Sequence, residues 1–163
     1  MSITLQEFKD AIMAGLKKTW FKNEKPLIPD ADTPMTTSWP HFSRSELTCQ
    51  CGCGKMGMDQ NFMRRLEELR TAYGRPMVIT SAYRCPDHNS RVSKTGQNGP
   101  HTKGQAIDIL ASGENAYELL FFAIGYGFAG LGINQSGPHA QRFIHLDRLE
   151  SLTHHPRPRV WSY

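Results

Sequence analysis

The chain predicts an α+β domain, a small and mainly antiparallel sheet with helices packed on one face, and three observations carry that reading. Two apolar runs, 106–110 and 142–148, have strand length and strand composition. Two longer segments, 59–73 and 114–126, repeat their apolar residues at helical spacing. Between the glycine-rich run Phe128–Asn134 and the strand at 142–148 lies a hairpin-like loop, Gln135–Ala140, which makes antiparallel neighbours of the two. With 163 residues and 39% hydrophobic content, the chain can bury one proper core.

Residues 1–25 are expected to form an amphipathic helix, with Thr4 and Glu7 as a capping box and a stripe of Leu5, Phe8, Ile12, Leu16 and Trp20. Such a stripe most commonly packs onto the rest of a molecule; contact with an anionic envelope is the alternative. Residues 26–41 hold four prolines and no period, which describes a linker or an extended arm. The main domain then runs over 42–163 and opens with Ser43 capping a turn that contains Glu46.

Cys49, Cys51 and Cys53 alternate in CQCGCG, and Cys85 follows after the next helix. Paired zinc cysteines usually have two residues between them, so alternation by one fits reduced thiols in a tight turn better than a second metal site. Asp59 caps the helix that follows, Phe62, Leu66, Leu69 and Tyr73 form its buried stripe, and Gly74 with Pro76 ends it. Met77–Ser81 is a strand that delivers Tyr83 and Arg84 to its end. A short helix is expected over Asp87–Lys94, and a polar loop over Ser93–Pro100. The helix over Glu114–Tyr126 directs Tyr117, Leu119, Leu120, Phe121 and Ile124 at the sheet. The tail ends in a β-favouring segment that adds an edge strand.

The chemistry concentrates in NGPHTKGQAIDIL and FIHLD. Asp108 lies between isoleucines in a strand, and a buried carboxylate needs a hydrogen bond, an ion pair or a metal. On the second strand Phe143, His145 and Asp147 share a face, while Ile144 and Leu146 take the other. If the two strands pair, His145 meets Asp108. His101, in the turn before the first strand, completes two imidazoles and one carboxylate, the ligand set of a catalytic zinc. The metal then sits on the sheet face away from the helices, with Ala106, Asp108, His145 and Asp147 facing it and Gly104 letting the backbone pass close beneath.

These strings resemble the zinc D-Ala-D-Ala carboxypeptidase and L-alanyl-D-glutamate endopeptidase family, metallopeptidase family fifteen, whose hallmark is SxHxxGxAxD followed by a later ligand histidine. The likeness spans about residues 42–163, and it implies a hedgehog-like zinc fold with His101, Asp108 and His145 as the zinc ligands. It also implies that Arg84, at the end of VITSAYR, contacts substrate together with the neighbouring Tyr83. Two positions depart from the pattern: Gly99 replaces the hallmark serine, and Arg142 stands three before the last ligand, where many members carry an acidic base.

Zinc on two neutral histidines and one aspartate keeps a net positive charge that acidifies water and polarises a carbonyl. A proton acceptor is then required; Asp147 is the first choice and His139 the second, with Arg84 stabilising the oxyanion or anchoring a substrate carboxylate. The resemblance implies the stem peptide of bacterial peptidoglycan as substrate, cut by a carboxypeptidase or an endopeptidase of the phage endolysin type. A zinc-containing module of the same fold without catalysis is the alternative, kept open by Arg142. A regulatory protein built on the cysteine cluster is a third.

A formal charge of +4 and a pI near 9 favour an anionic target such as a cell envelope. The basic residues are scattered, with no recognition helix, zinc-finger spacing or aromatic ribonucleoprotein motif, which argues against nucleic acid. No apolar run is long enough to cross a bilayer, and the N-terminus lacks secretory-signal character. The expected protein is a monomer made in the cytoplasm that acts at the wall or periplasm, released through a holin or carried on a virion.

Overall fold

The computed structural model describes residues 39–151 and 156–163. The expected N-terminal helix, most of the proline-rich arm and the pair His154–His155 lie outside those residues. The described elements, in order, are α1 (Arg44–Leu47), α2 (Gln60–Tyr73), β1 (Val78–Ser81), α3 (Pro86–Val92), β2 (Ala106–Leu110), α4 (Gly113–Gly125), β3 (Gly130–Asn134), β4 (Phe143–Asp147) and β5 (Arg159–Ser162). Three 3-10 turns, Gly96–Asn98, Pro100–Lys103 and His139–Gln141, fill the connections.

The strands form one sheet in the order β1-β2-β4-β3-β5, antiparallel throughout except for the parallel pair β3–β5. The C-terminal segment is thus the edge strand that its composition predicted. Pleating sorts the side chains. Ile107 and Ile109 of β2 and Ile144 and Leu146 of β4 are buried on one face, in a core shared with Phe62, Leu66 and Leu69 of α2 and Leu119 of α4. Edge-to-face pairs, Phe62 with Phe128 and Tyr73 with Phe122, tie the helices together and to the chain entering β3. The opposite face carries Asp108, His145 and Asp147.

Both helix starts were readable. Ser43 and Glu46 form a reciprocal capping box at α1, and the Asp59 side chain accepts the Phe62 N–H at α2. The buried stripe of α4 differs from expectation. It consists of Ala116, Leu119, Phe122 and Ala123, while Tyr117, Phe121 and Ile124 are exposed. The run LLFFAIG is apolar around the whole helix, so period alone leaves the inward face undetermined.

Gly104 also serves a different purpose from the one expected. It adopts φ 68°, and a Cβ there would run into the carbonyl oxygen of Gly57 and into the backbone of Met58 and Asp59. The close approach is therefore to the loop entering α2, sealed by the Asp59 N–H donating to the Gly104 carbonyl at 3.0 Å.

Candidate metal centre

His101 comes from the 3-10 turn before β2, and its Nδ1 lies 2.6 Å from the Ala82 carbonyl oxygen. That nitrogen must donate, which leaves the Nε2 lone pair facing the sheet. Asp108 and His145 are direct partners in the β2–β4 register, so their side chains rise side by side. His145 Nδ1 lies 2.7 Å from Asp108 Oδ1 and 3.3 Å from His101 Nε2, and His101 Nε2 lies 3.3 Å from Asp108 Oδ1. All three side chains are buried.

Burial opposes charge on Asp108, but the two imidazoles beside it hold its carboxyl well below the usual carboxylate range. Burial above all pushes the His101 imidazole down. Burial works the same way on His145, but the hydrogen bonds that it donates to the Asp108 and Asp147 carboxylates outweigh it and raise its pKa.

The donor set fits a tetrahedral transition metal. Bonds of about 2.0–2.1 Å space tetrahedral ligand atoms about 3.3 Å apart. Two imidazole lone pairs and a carboxylate oxygen aimed at one point repel one another unless a cation or a proton lies between them. His101, Asp108 and His145 are thus a group able to hold one ion through three protein atoms.

Arg84 reaches the same carboxylate. Its Nη2 donates to Asp108 Oδ2 at 2.6 Å, and its Nε donates to Ser81 Oγ at 2.7 Å. Ser81 faces Asp108 because a bulge shifts the β1–β2 register between Ile79 and Ser81. Arg84, Ser81, Thr80, His88, Asp108 and Phe143 line a groove of about 370 Å³ beside the cluster. Tyr83 is not among the groove-lining residues; its ring lies against Gly57, where an added Cβ would meet it at 2.8 Å.

Asp147 departs most from its expected place. Its side chain is fully buried, and Oδ2 lies 3.2 Å from His145 Nε2, on the opposite side of the imidazole from the cluster. Arg157 grips it with both ends of its fork, Nε to Oδ1 at 2.8 Å and Nη2 to Oδ2 at 2.6 Å, and the Leu149 N–H adds a bond to Oδ1 at 3.2 Å. Burial opposes its charge, but His145 and Arg157 lower its pKa to about 2. His139 is exposed on the turn whose next residues, Ala140 and Gln141, line the groove, and its Nδ1 lies 3.3 Å from Ser112 Oγ.

Some of this surrounding was not read from the sequence. Arg157 and Trp161 come from the tail, where only a strand was expected; the Trp161 ring packs at 5.2 Å from the His145 ring and beneath the Arg157 guanidinium at 5.4 Å. The spacing RPRVW, an arginine four before a tryptophan on a β-favouring run, was the available signal. The four cysteines, expected as reduced thiols in a tight turn, are free and converge, with their sulfurs all within 4.8 Å of one another.

Among curated proteins and solved structures no similar chain is found. The family model described as Peptidase M15 matches residues 40–147, which takes in every element from α1 through the last strand of the cluster, and the chain belongs to the peptidase M15 family of metallopeptidases.

Proposed function

We propose that the protein is a zinc peptidase that hydrolyses the stem peptide of bacterial peptidoglycan. The observation that carries the reading is the convergence of His101 Nε2, Asp108 Oδ1 and His145 Nδ1 beside a groove of about 370 Å³ that Asp108 and Arg84 line. Zinc on these ligands supplies a Lewis acid that polarises a peptide carbonyl and acidifies water.

The chain's own groups divide the remaining work. Arg84 fixes Asp108 through Oδ2 and offers the outer edge of its guanidinium to a substrate carboxylate or an oxyanion. Asp147, clamped by Arg157, accepts a hydrogen bond from His145 Nε2–H and so holds Nδ1 toward the cluster. With Asp147 engaged there and Arg142 Nε donating to the Gly137 carbonyl, His139 at the groove rim becomes the residue assigned to accept a proton. The positive net charge suits an anionic envelope as the working surface, and we place that work at the wall or periplasm, after synthesis in the cytoplasm, as expected for an endolysin or a virion-borne wall hydrolase.

The test is to incubate zinc-loaded protein with purified peptidoglycan and to weigh the released fragments by mass spectrometry, with His145→Ala as control. Stem-peptide fragments that appear with wild type and not with the variant support the reading and identify the bond cut. A second reading, a zinc-containing module that binds without cutting, is favoured by one observation: no described carboxylate other than that of Asp108 lines the groove. Sedimentation of the protein with peptidoglycan and no released fragments would select it.

A further inference from the structure

Away from the histidine cluster, the sulfurs of Cys49, Cys51, Cys53 and Cys85 all lie within 4.8 Å of one another. Cys49 Sγ is 3.4 Å from Cys51 Sγ, and Cys51 Sγ is 3.7 Å from Cys85 Sγ; all four cysteines are free. A disulfide would bring two sulfurs to about 2.05 Å. Zinc–sulfur bonds of about 2.3 Å instead put tetrahedral sulfurs about 3.8 Å apart, close to the spacing seen. Cys51 is nearly equidistant from two others, an arrangement that suits one shared ion better than paired bridges.

The local chain explains how alternating cysteines reach one point. In an extended strand, side chains two apart share a face but stand roughly 6–7 Å from each other, too far to share one ion. Here Gly52 and Gly54 adopt φ 81° and φ 68°, with open space where a Cβ would stand, so conformation rather than room calls for glycine. The segment coils into a turn that closes with the Cys49 N–H donating to the Lys55 carbonyl at 2.9 Å. Across the turn the Cys85 N–H points at Cys49 Sγ at 3.3 Å, and the His88 N–H points at Cys85 Sγ at 3.4 Å. His88 Nδ1 lies 3.3 Å from Cys49 Sγ, placed to donate to a thiolate. Donors turned toward sulfur are what a cluster of metal-bound thiolates requires, since each carries negative charge.

We propose that Cys49, Cys51, Cys53 and Cys85 form a second, structural zinc site, a tetrathiolate centre independent of His101, Asp108 and His145. Four protein ligands leave no open position, so the ion holds the chain together and takes no part in hydrolysis. It ties the 49–53 turn to the residue that follows Arg84, whose guanidinium grips Asp108. The centre therefore braces the stretch of groove wall that Gln50, Arg84 and His88 supply.

Metal analysis of the full-length protein tests this. Wild type is expected to carry two zinc ions per chain, Cys51→Ser one, and His145→Ala one. Cobalt substitution gives a spectroscopic counterpart: thiolate-to-cobalt charge transfer in the near ultraviolet that survives His145→Ala and disappears in Cys51→Ser. A mercurial added to wild type should release one zinc equivalent, a readout that holds even if a cysteine variant fails to fold. A single zinc lost in His145→Ala and kept in Cys51→Ser, a cobalt form without thiolate charge transfer, or a native mass short by the hydrogens of a disulfide would each overturn the proposal. None of these outcomes depends on whether peptidoglycan is cut.

Discussion

His101 and His145 present different ring nitrogens to one point, and the difference follows from what each holds behind it. His101 gives its Nδ1 to the Ala82 carbonyl, and His145 gives its Nε2 to Asp147. If His101, Asp108 and His145 hold the zinc as proposed, none is in reserve, and His101→Ala, Asp108→Ala and His145→Ala should each lose the ion of this cluster and abolish the proposed hydrolysis, measured by metal content and by turnover of purified peptidoglycan; full activity in any one would sink the assignment. Asp147 calls for a finer measurement. As the partner of His145, Asp147→Asn should weaken zinc affinity by about 10–100-fold and leave kcat at saturating zinc within a few-fold. His139→Ala, by contrast, should keep zinc and lower kcat by about a hundredfold or more. The reverse result, a hundredfold fall in kcat for Asp147→Asn at full zinc occupancy, would return the proton acceptor to Asp147. The meeting of Asp108 with His145 was legible because strand pleating and register are arithmetic once two strands are paired. It hid the surroundings of Asp147, since Arg157 stands ten residues further on and nothing in FIHLD points to it. The departure at Gly99 has a local cause. A side chain there would meet Thr95 Oγ1 and Asn89 Nδ2, which hydrogen-bond to each other at 2.9 Å and fill the space that a serine would take.

At the scale of elements, capping and period were legible and facing was less so. Asp59 and Ser43 announce their helices because a cap is a local hydrogen bond, readable within four residues. The inward face of α4 is set by what it packs on, and an almost continuously apolar helix carries no contrast to reveal it. Phe122 is 6% exposed and meets Tyr73 edge to face, whereas Tyr117 is 73% exposed. Phe122→Ala should therefore destabilise the protein by about 3–5 kcal/mol, and Tyr117→Ala by no more than about 0.5 kcal/mol, measured by chemical denaturation. Equal effects would mean that α4 packs with a different face. The cysteine turn resisted reading for a related reason. Spacing rules for paired cysteines describe one common loop, and glycines at positive φ allow another.

For the molecule as a whole, a metal held as proposed would couple folding to metal and to protons, because His101 belongs to a turn while Asp108 and His145 belong to neighbouring central strands. An ion there crosslinks segments that the sheet alone does not join, and it stabilises the native state by about 2.7 kcal/mol when free zinc is a hundredfold above its dissociation constant. Protons compete for the same lone pairs. In the metal-free protein His145 has a raised pKa, held up by Asp108 and Asp147 against burial, so its contribution to stability is present below the ordinary histidine value and is lost as pH rises through the raised one. Zinc would reverse that trend, since it needs the neutral ring and would take the place of the Nδ1 proton that faces Asp108, while the Nε2–H stays on Asp147. His101 is pushed down, chiefly by burial, and is already neutral where His145 begins to lose its proton; Asp108 is ionised throughout. The proton with which zinc would chiefly compete is thus that of His145. The gap in melting temperature between zinc-loaded and chelator-treated protein should widen steadily from about pH 5 to about pH 8. Calorimetric titration with zinc at neutral pH, repeated in buffers of different ionisation enthalpy, should show net proton release. A gap that stays constant over that range, with no proton released, would mean that the ion is not held by His145 Nδ1.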